Sequence, residues 1–380
     1  MLDMLLFDGD QSFNGMSMQL MFRQSVNISR QALHQKYNEG MLTFIKGAFE
    51  RLLTIELPAE KIKGLEINIK DSTRFALPEV MALDYPGTKG CGIKAGATFQ
   101  FEFGLKSGNC DIKLTPGSSN DQNESNLDRE LIVPGVVYLR DLGYSHISYM
   151  RNIIEKKAFF VNKLSPKTSI YTLQGSAYRE LDLRALQKTG RVFNGQVYIG
   201  NDKLPIRMII EPVSDEVKNN RISNTDKYNK KKGYQTTALF KLRAGFNFIV
   251  TNLDEDHSAE LVQKLYHLRW QIELVFKAWK SSMKIHQMPK GSSLRIKCAL
   301  YSKLLWAMLS WKITMSIGRI GEISILKIHG LIASCKPELR LQLWGLSMNW
   351  LKMIERLPFY KLLKEHKKGR LKTEEIIINI

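Results

Sequence analysis

Three acidic residues, Asp71, Asp141 and Glu273, are of a type that could do phosphate chemistry if the fold brought them to one point. Carboxylates held that close repel one another unless cations occupy the site. Two Mg²⁺ ions about 3.5–4 Å apart, held by hard oxygen ligands, are the usual occupants, and they activate water and steady the leaving oxygen in phosphoryl transfer. Glu273 sits inside YHLRWQIELVFKAWK, residues 266–280, where Tyr266, Arg269, Glu273, Lys277 and Lys280 recur at helical steps. On a helix these five fall within a sector of roughly 80°. Leu265, Leu268, Ile272, Val275, Phe276 and Trp279 gather on the other side, with Leu261 one turn upstream, as the stripe a core would bury. Taken alone, the charged face also reads as a solvated surface laced with ion pairs three and four residues apart.

The elements that must position these acids are strands and one helix. GLEINIKDST alternates apolar and polar residues, which predicts a strand ending at Asp71. LIVPGVVYLRDLGYS is a continuous apolar run that predicts a buried strand ending at Asp141. An Asp at a strand end is also a common turn or cap residue, so neither Asp is diagnostic by itself. Parallel strands presenting acids at neighbouring carboxyl ends, with the Glu273 helix packed across them, would make the three meet. Residues 96–106 and 110–114 predict two further strands, residues 145–157 a helix, AFFVNKL and FNFIVTNL two more strands, and Ser258 the cap of the helix that carries Glu273.

Charge narrows the class of partner. The 380 residues carry 56 Lys and Arg against 37 Asp and Glu, a formal +19, and such an excess predicts a polyanion such as nucleic acid. Local basic runs occur at 230–232 and across 361–372. Cys91, Cys110, Cys298 and Cys335 are far apart with no CxxC pair, which points to a reduced, intracellular protein without a structural zinc. Six of the seven histidines are isolated and His257 sits in an acidic helix start, where capping is the expected role, which argues against a His-metal site. The start of the chain lacks a positive n-region, and the apolar stretch 299–315 is interrupted by Lys303 and Lys312, so neither a secretory signal nor a membrane span is expected.

Taken together the motifs are more specific. Tyr266-x2-Arg269-x3-Glu273-x6-Lys280 resembles the YREK signature of a group of bacterial insertion-sequence DDE transposases. KDST at 70–73 and RDLGY at 140–144 resemble that group's first and second aspartate motifs, in the right order and with a β-rich stretch before the Glu. The resemblance implies an α/β fold: a ribonuclease H-like mixed-sheet core with a β-rich insertion, flanked by helical N- and C-terminal regions. On that reading, residues 1–57 are an N-terminal helical region with possible DNA contact, 58–165 and 246–290 the two parts of the core, 166–245 the insertion with its own small sheet, and 291–380 a helical region with possible dimerisation.

The resemblance further implies Asp71, Asp141 and Glu273 as catalytic metal ligands for Mg²⁺, with Mn²⁺ able to substitute. Tyr266, Arg269 and Lys280 would bind DNA phosphates beside the cut strand end. Lys277 shares their face but lies outside the signature. The expected partners are double-stranded DNA with terminal inverted repeats and a second copy of the chain in a synaptic homodimer, in the bacterial cytoplasm at the nucleoid. Relatives flip a base beside the cut onto an aromatic platform. No Trp lies between Asp141 and Trp270, and Phe193, Tyr198, Tyr228 and Tyr234 are all available for that role. A catalytically inactive, element-derived DNA-binding regulator and a plain metal-dependent endonuclease are the alternative readings.

Overall fold

The computed structural model describes residues 11–55, 64–88, 92–119, 131–144, 146–317, 323–343 and 362–363. Among these, the strands are β1 (Ile67–Ala76), β2 (Gly96–Gly104), β3 (Cys110–Pro116), β4 (Val137–Arg140), β5 (Phe159–Lys163), β6 (Ile170–Gln174), β7 (Ala177–Glu180), β8 (Phe193–Ile199), β9 (Leu204–Pro212) and β10 (Phe246–Thr251). The helices before β6 are α1 (Phe13–Gln24), α2 (Arg30–Gln35), α3 (Glu39–Leu53) and α4 (Ile147–Glu155). After it come α5 (Leu183–Thr189), α6 (Asp215–Lys232), α7 (Ala238–Arg243), α8 (Ala259–Leu268), α9 (Trp270–Ser282), α10 (Ser293–Ile317), α11 (Ile325–Ser334) and α12 (Lys336–Leu343). The described residues divide into two compact units: those within 63–70 and 120–269 form one, and those within 1–62, 71–119 and 270–375 the other.

In the first unit, the opening residues of β1 pair in parallel with β4, from Ile67 opposite Val137 to Lys70 opposite Arg140. β4 pairs in parallel with β5, and β5 is antiparallel to β10. The sheet continues in the order β10-β9-β8-β6-β7, every pair antiparallel. This is the mixed sheet expected of a ribonuclease H-like core. Each residue of β4 is buried, as its unbroken apolar run predicts. Tyr138, Tyr149, Met150, Ile153, Phe160, Val197, Met208 and Val250 share one core, which α4 covers from its buried side.

The insertion does not build a sheet of its own. LPIRMIIEP is buried along most of its length, so β9 needs a neighbour on each edge: β8 supplies one and β10 the other. The β-rich stretch therefore extends the core sheet.

In the second unit, β2 and β3 are antiparallel from Ala97 opposite Pro116 to Phe103 opposite Cys110. β1 does not end at Asp71 but runs on to Ala76, because STRFA keeps the alternation: Thr73 is buried and the Phe75 ring meets Phe99 at 5.1 Å. Pro78, which cannot donate to a ladder, follows the strand end.

Ser29 caps α2 through the Ala32 N–H. Asn38 accepts from the Met41 N–H and so starts α3. α3 packs along α10 and leaves Phe44 57% exposed. α10 buries Trp306 and Trp311. The two lysines that interrupt its apolar run are satisfied by carbonyls, Lys303 by Lys284 O at 2.8 Å and Lys312 by Ile55 O. Trp344, Trp350, His366, Cys91 and the basic run 361–372 fall outside the described residues, apart from Leu362 and Leu363 within that run. Among the described residues no helix is long and apolar enough to cross a membrane.

His329 on α11 is 1% exposed, and neither ring nitrogen has a hydrogen-bond partner among the described residues. Burial pushes its pKa from the ordinary 6.5 down to about 4. The unfolded chain takes up a proton over that interval while the folded chain stays neutral, so stability present above pH 6.5 is lost as the pH falls toward 4. Urea unfolding at pH 7.5 and pH 5 should differ by about 2 kcal/mol from this group. In a His329→Leu variant that increment should vanish, and an unchanged pH dependence would mean that the ring is solvated.

Candidate active site

In the first unit, three of the six expected site residues come together. Asp141 is the first residue past the parallel pair Lys70–Arg140, and its side chain is 45% exposed. Tyr266, in the last turn of α8, donates its hydroxyl to Asp141 Oδ1 at 3.4 Å. Arg269 Nε lies 3.9 Å from the same oxygen. Both contacts are long, so the carboxylate keeps lone pairs for another cation.

α8 reaches this place because Ser258 caps it through the Leu261 N–H and its apolar side, with Val262, Leu265 and Leu268 buried, packs on β5 and β10. Tyr266 was assigned to the polar face, yet it is only 7% exposed. Burial is the main reason its phenol pKa rises to about 12; Arg269 pulls it down and Asp141 pushes it up. Tyr266 therefore remains a hydroxyl donor at any working pH. The Lys163 ammonium stands 5.3 Å from its ring centroid and the Arg269 guanidinium 5.9 Å.

Residues missed from sequence set the Asp141 backbone. Arg140, 1% exposed, donates through Nη2 to the Tyr149 hydroxyl at 3.2 Å and lies 5.1 Å from the Tyr138 ring centroid. Its backbone N–H donates to Oδ1 of the fully buried Asn162 at 3.1 Å. A charged residue in an otherwise apolar strand, directly before the acid, was the available signal. Lys163 carried none.

In the second unit, Asp71 lies within β1 and its Oδ1 accepts the Ser72 N–H at 2.8 Å. Glu273 stands in the first turn of α9, where the helix dipole favours a carboxylate. Lys280, two turns on, shares its face; Lys277 between them is exposed. Burial lowers the Lys280 pKa, and a nearby anion would raise it again.

The other side of α9 buries Ile272, Val275, Phe276 and Trp279, as the spacing predicts. An aromatic knot fixes the helix. Trp279 meets Phe101 of β2 at 4.8 Å, Trp311 of α10 meets Phe101 at 5.1 Å and Phe103 at 4.7 Å, and the Trp311 N–H donates to Gly108 O at 2.8 Å.

The stretch expected as one helix is thus two, α8 and α9, with Arg269 between them in helical dihedrals (φ −51°, ψ −30°). Asp71 and Glu273 belong to one unit and Asp141 to the other. Among the described residues, no three or more His, Cys, Asp or Glu side chains are grouped so that they could hold a metal ion. In kind the donors suit one, since all three expected ligands are hard carboxylates. Among the candidate stacking aromatics, Tyr228 and Tyr234 are 62% and 69% exposed, whereas Phe193 and Tyr198 are half-buried.

A family model described as the Transposase DDE domain matches residues 63–309. The transposase for insertion sequence element IS231E of Bacillus thuringiensis subsp. finitimus is 30% identical over 305 residues, covering 73% of this chain and 64% of that protein. The transposase for IS1151 of Clostridium perfringens is 28% identical over 358 residues, covering 84% and 75%. The chain therefore spans 64% of the length of the IS231 relatives it matches. Among solved structures, a piggyBac transposase synaptic complex with hairpin DNA is similar at a TM-score of 0.43 and 10% identity, covering 97% of this chain and 76% of that one.

Proposed function

Since the chain belongs to the Transposase DDE domain family, we propose that it is a DNA transposase that cuts and joins the ends of an insertion sequence. The observation that carries this reading is the seat of Asp141: a half-exposed carboxylate at the end of a buried parallel strand, met by Tyr266 and Arg269 from the helix that leads into Glu273. Asp71, Asp141 and Glu273 would hold Mg²⁺, or Mn²⁺ in its place. When bound, the ions supply an activated water or 3′-hydroxyl and neutralise the leaving oxygen.

The chain's own groups bind and orient the strand. Tyr266, kept protonated, donates to a phosphate oxygen; Arg269 offers its fork to the same phosphate or the next; Lys280 adds an ammonium. Their loose contacts with Asp141 let Tyr266 and Arg269 exchange that partner for DNA. The proposal extends to terminal inverted repeats as the recognised DNA, membership of the YREK group, a homodimer that pairs two ends, and a place at the bacterial nucleoid.

The protein is incubated with labelled DNA carrying its element's ends, with Mg²⁺ or Mn²⁺, and with Ca²⁺ as control. Nicks at the boundary followed by end-to-target joining are expected. Nicks without joining would make it an endonuclease. Tight binding without nicks would make it a regulator.

Tyr266→Phe removes only the hydroxyl. Single-turnover nicking should slow roughly ten- to hundredfold, the effect of one hydrogen bond to a charged group, while stability changes by less than about 1 kcal/mol. An unaltered rate would take Tyr266 out of the phosphate grip.

A further inference from the structure

α6 buries none of its 18 side chains, so it is not held by an apolar stripe. Ser214 caps its start through the Val217 N–H, Asp215 and Glu216 occupy the first turn, and Lys230, Lys231 and Lys232 the last, each sign complementing the dipole. Gly233 closes it at φ 74°, a left-handed conformation suited to glycine. One side chain ties it to the sheet. Arg221 donates to Ala244 O at 3.2 Å, Phe246 O at 2.9 Å and Asn247 Oδ1 at 2.6 Å, and Asn229 with Asp226 holds the Thr236 hydroxyl.

This anchor fixes which side faces solvent. Lys218, Arg221, Ile222, Thr225 and Asn229 are half-buried. Asn220, Ser223, Asn224, Lys227, Lys230 and Lys231 are exposed on the opposite side, within a sector of roughly 120°.

The composition of that side is selective. Past the first turn, where Glu216 lies on the same side, the sector carries three lysines and no acid. Lys227 stands three and four residues from Lys230 and Lys231, a spacing at which like charges cost about 0.2–0.5 kcal/mol per pair. A face that served only solubility would alternate signs. Tyr228 and Tyr234 are exposed at the same end of the helix.

We propose that this face of α6 is a second DNA contact, a sequence-independent seat for the phosphate backbone of duplex DNA, formed by residues outside the carboxylate and YREK sets. It rests on the reading of the chain as a DNA-acting protein, but it requires no catalysis.

The test uses the full chain and a random-sequence duplex without element ends, with binding measured across a salt series. The Lys227→Gln/Lys230→Gln/Lys231→Gln variant should lower the slope of log K against log salt by about 2–3, as for three lost phosphate contacts. Circular dichroism should be unchanged, because the substituted side chains touch solvent. A control variant at three exposed lysines elsewhere, Lys36→Gln/Lys157→Gln/Lys188→Gln, should keep the slope. An unchanged slope in the α6 variant, or an equal fall in the control, overturns the proposal. Nicking of a short end duplex, run in parallel, reports separately on the transposase reading: if no form of the protein nicks, the slopes still decide the question of α6.

Discussion

Replacing Asp141 with alanine is expected to slow nicking at an element end on the order of a thousandfold or more, since under the proposed role it would remove an oxygen ligand of the cations worth several kcal/mol, and each 1.36 kcal/mol is a decade of rate. The fold should hardly notice. The side chain is 45% exposed, and its link to Arg269 is a 3.9 Å contact worth about 0–1 kcal/mol. Single-turnover cleavage in Mg²⁺ and Mn²⁺, with thermal unfolding alongside, separates the two quantities. Lys277→Ala is the matched control, because Lys277 is exposed on the same helical face as Glu273 and outside the proposed set; its rate should stay within about twofold. If Asp141→Ala cleaved at the parent rate, the carboxylate would have no part in the chemistry.

Trp279→Ala should be the most damaging change away from the acids. The indole is fully buried, 4.8 Å from the Phe101 ring centroid and 5.9 Å from that of Phe276. Truncation should cost about 3–5 kcal/mol in denaturant unfolding. Activity should fall with it, because the same knot holds α9 and so Glu273. Trp279→Phe should recover much of the loss: the indole N–H has no hydrogen-bond partner among the described residues, so phenylalanine strands no donor that was satisfied before. A Trp279→Ala protein as stable as its parent would show that α9 is held by other contacts, those with α11 being the obvious ones.

How much of this could be read from the residues depends on what each pattern encodes. The apolar stripe from Leu265 to Trp279 was fully legible, because a helical period marks burial directly, and the strands before Asp141 and around Asn162 were legible as unbroken apolar runs. The break at Arg269 was not, since Leu, Arg, Trp and Gln all suit a helix and nothing local announces an end. α1 was missed for a related reason: FNGMSMQLMFRQ buries only Met16 and Leu20 and leaves Phe22 81% exposed, so no stripe is visible.

Strand length beyond Asp71 was hidden by the hydroxyls of Ser72 and Thr73, which look like turn chemistry until a partner ring claims Phe75. For the site, residue types and spacing pointed to Asp141, Tyr266 and Arg269, which do meet. They marked Arg140 only as a charge out of place in an apolar strand and not its two tyrosines, because the role of a buried charge is recognisable only once its partners are placed.

The pairing of β9 with β10 bears on the order of folding. β5 and β10 are neighbours in the sheet but are separated in sequence by the whole insertion, so closing that pair first would mean closing a long loop with nothing gained on the way. β8 and β9 are joined by a short connection and can zip locally. Once formed, that hairpin presents the free edge of β9, and β10 can dock on it before β5 arrives. The segment that separates β5 from β10 in sequence would then be the template for their pairing in time, and β5, which carries Asn162 to the Arg140 backbone, would be among the last strands to settle.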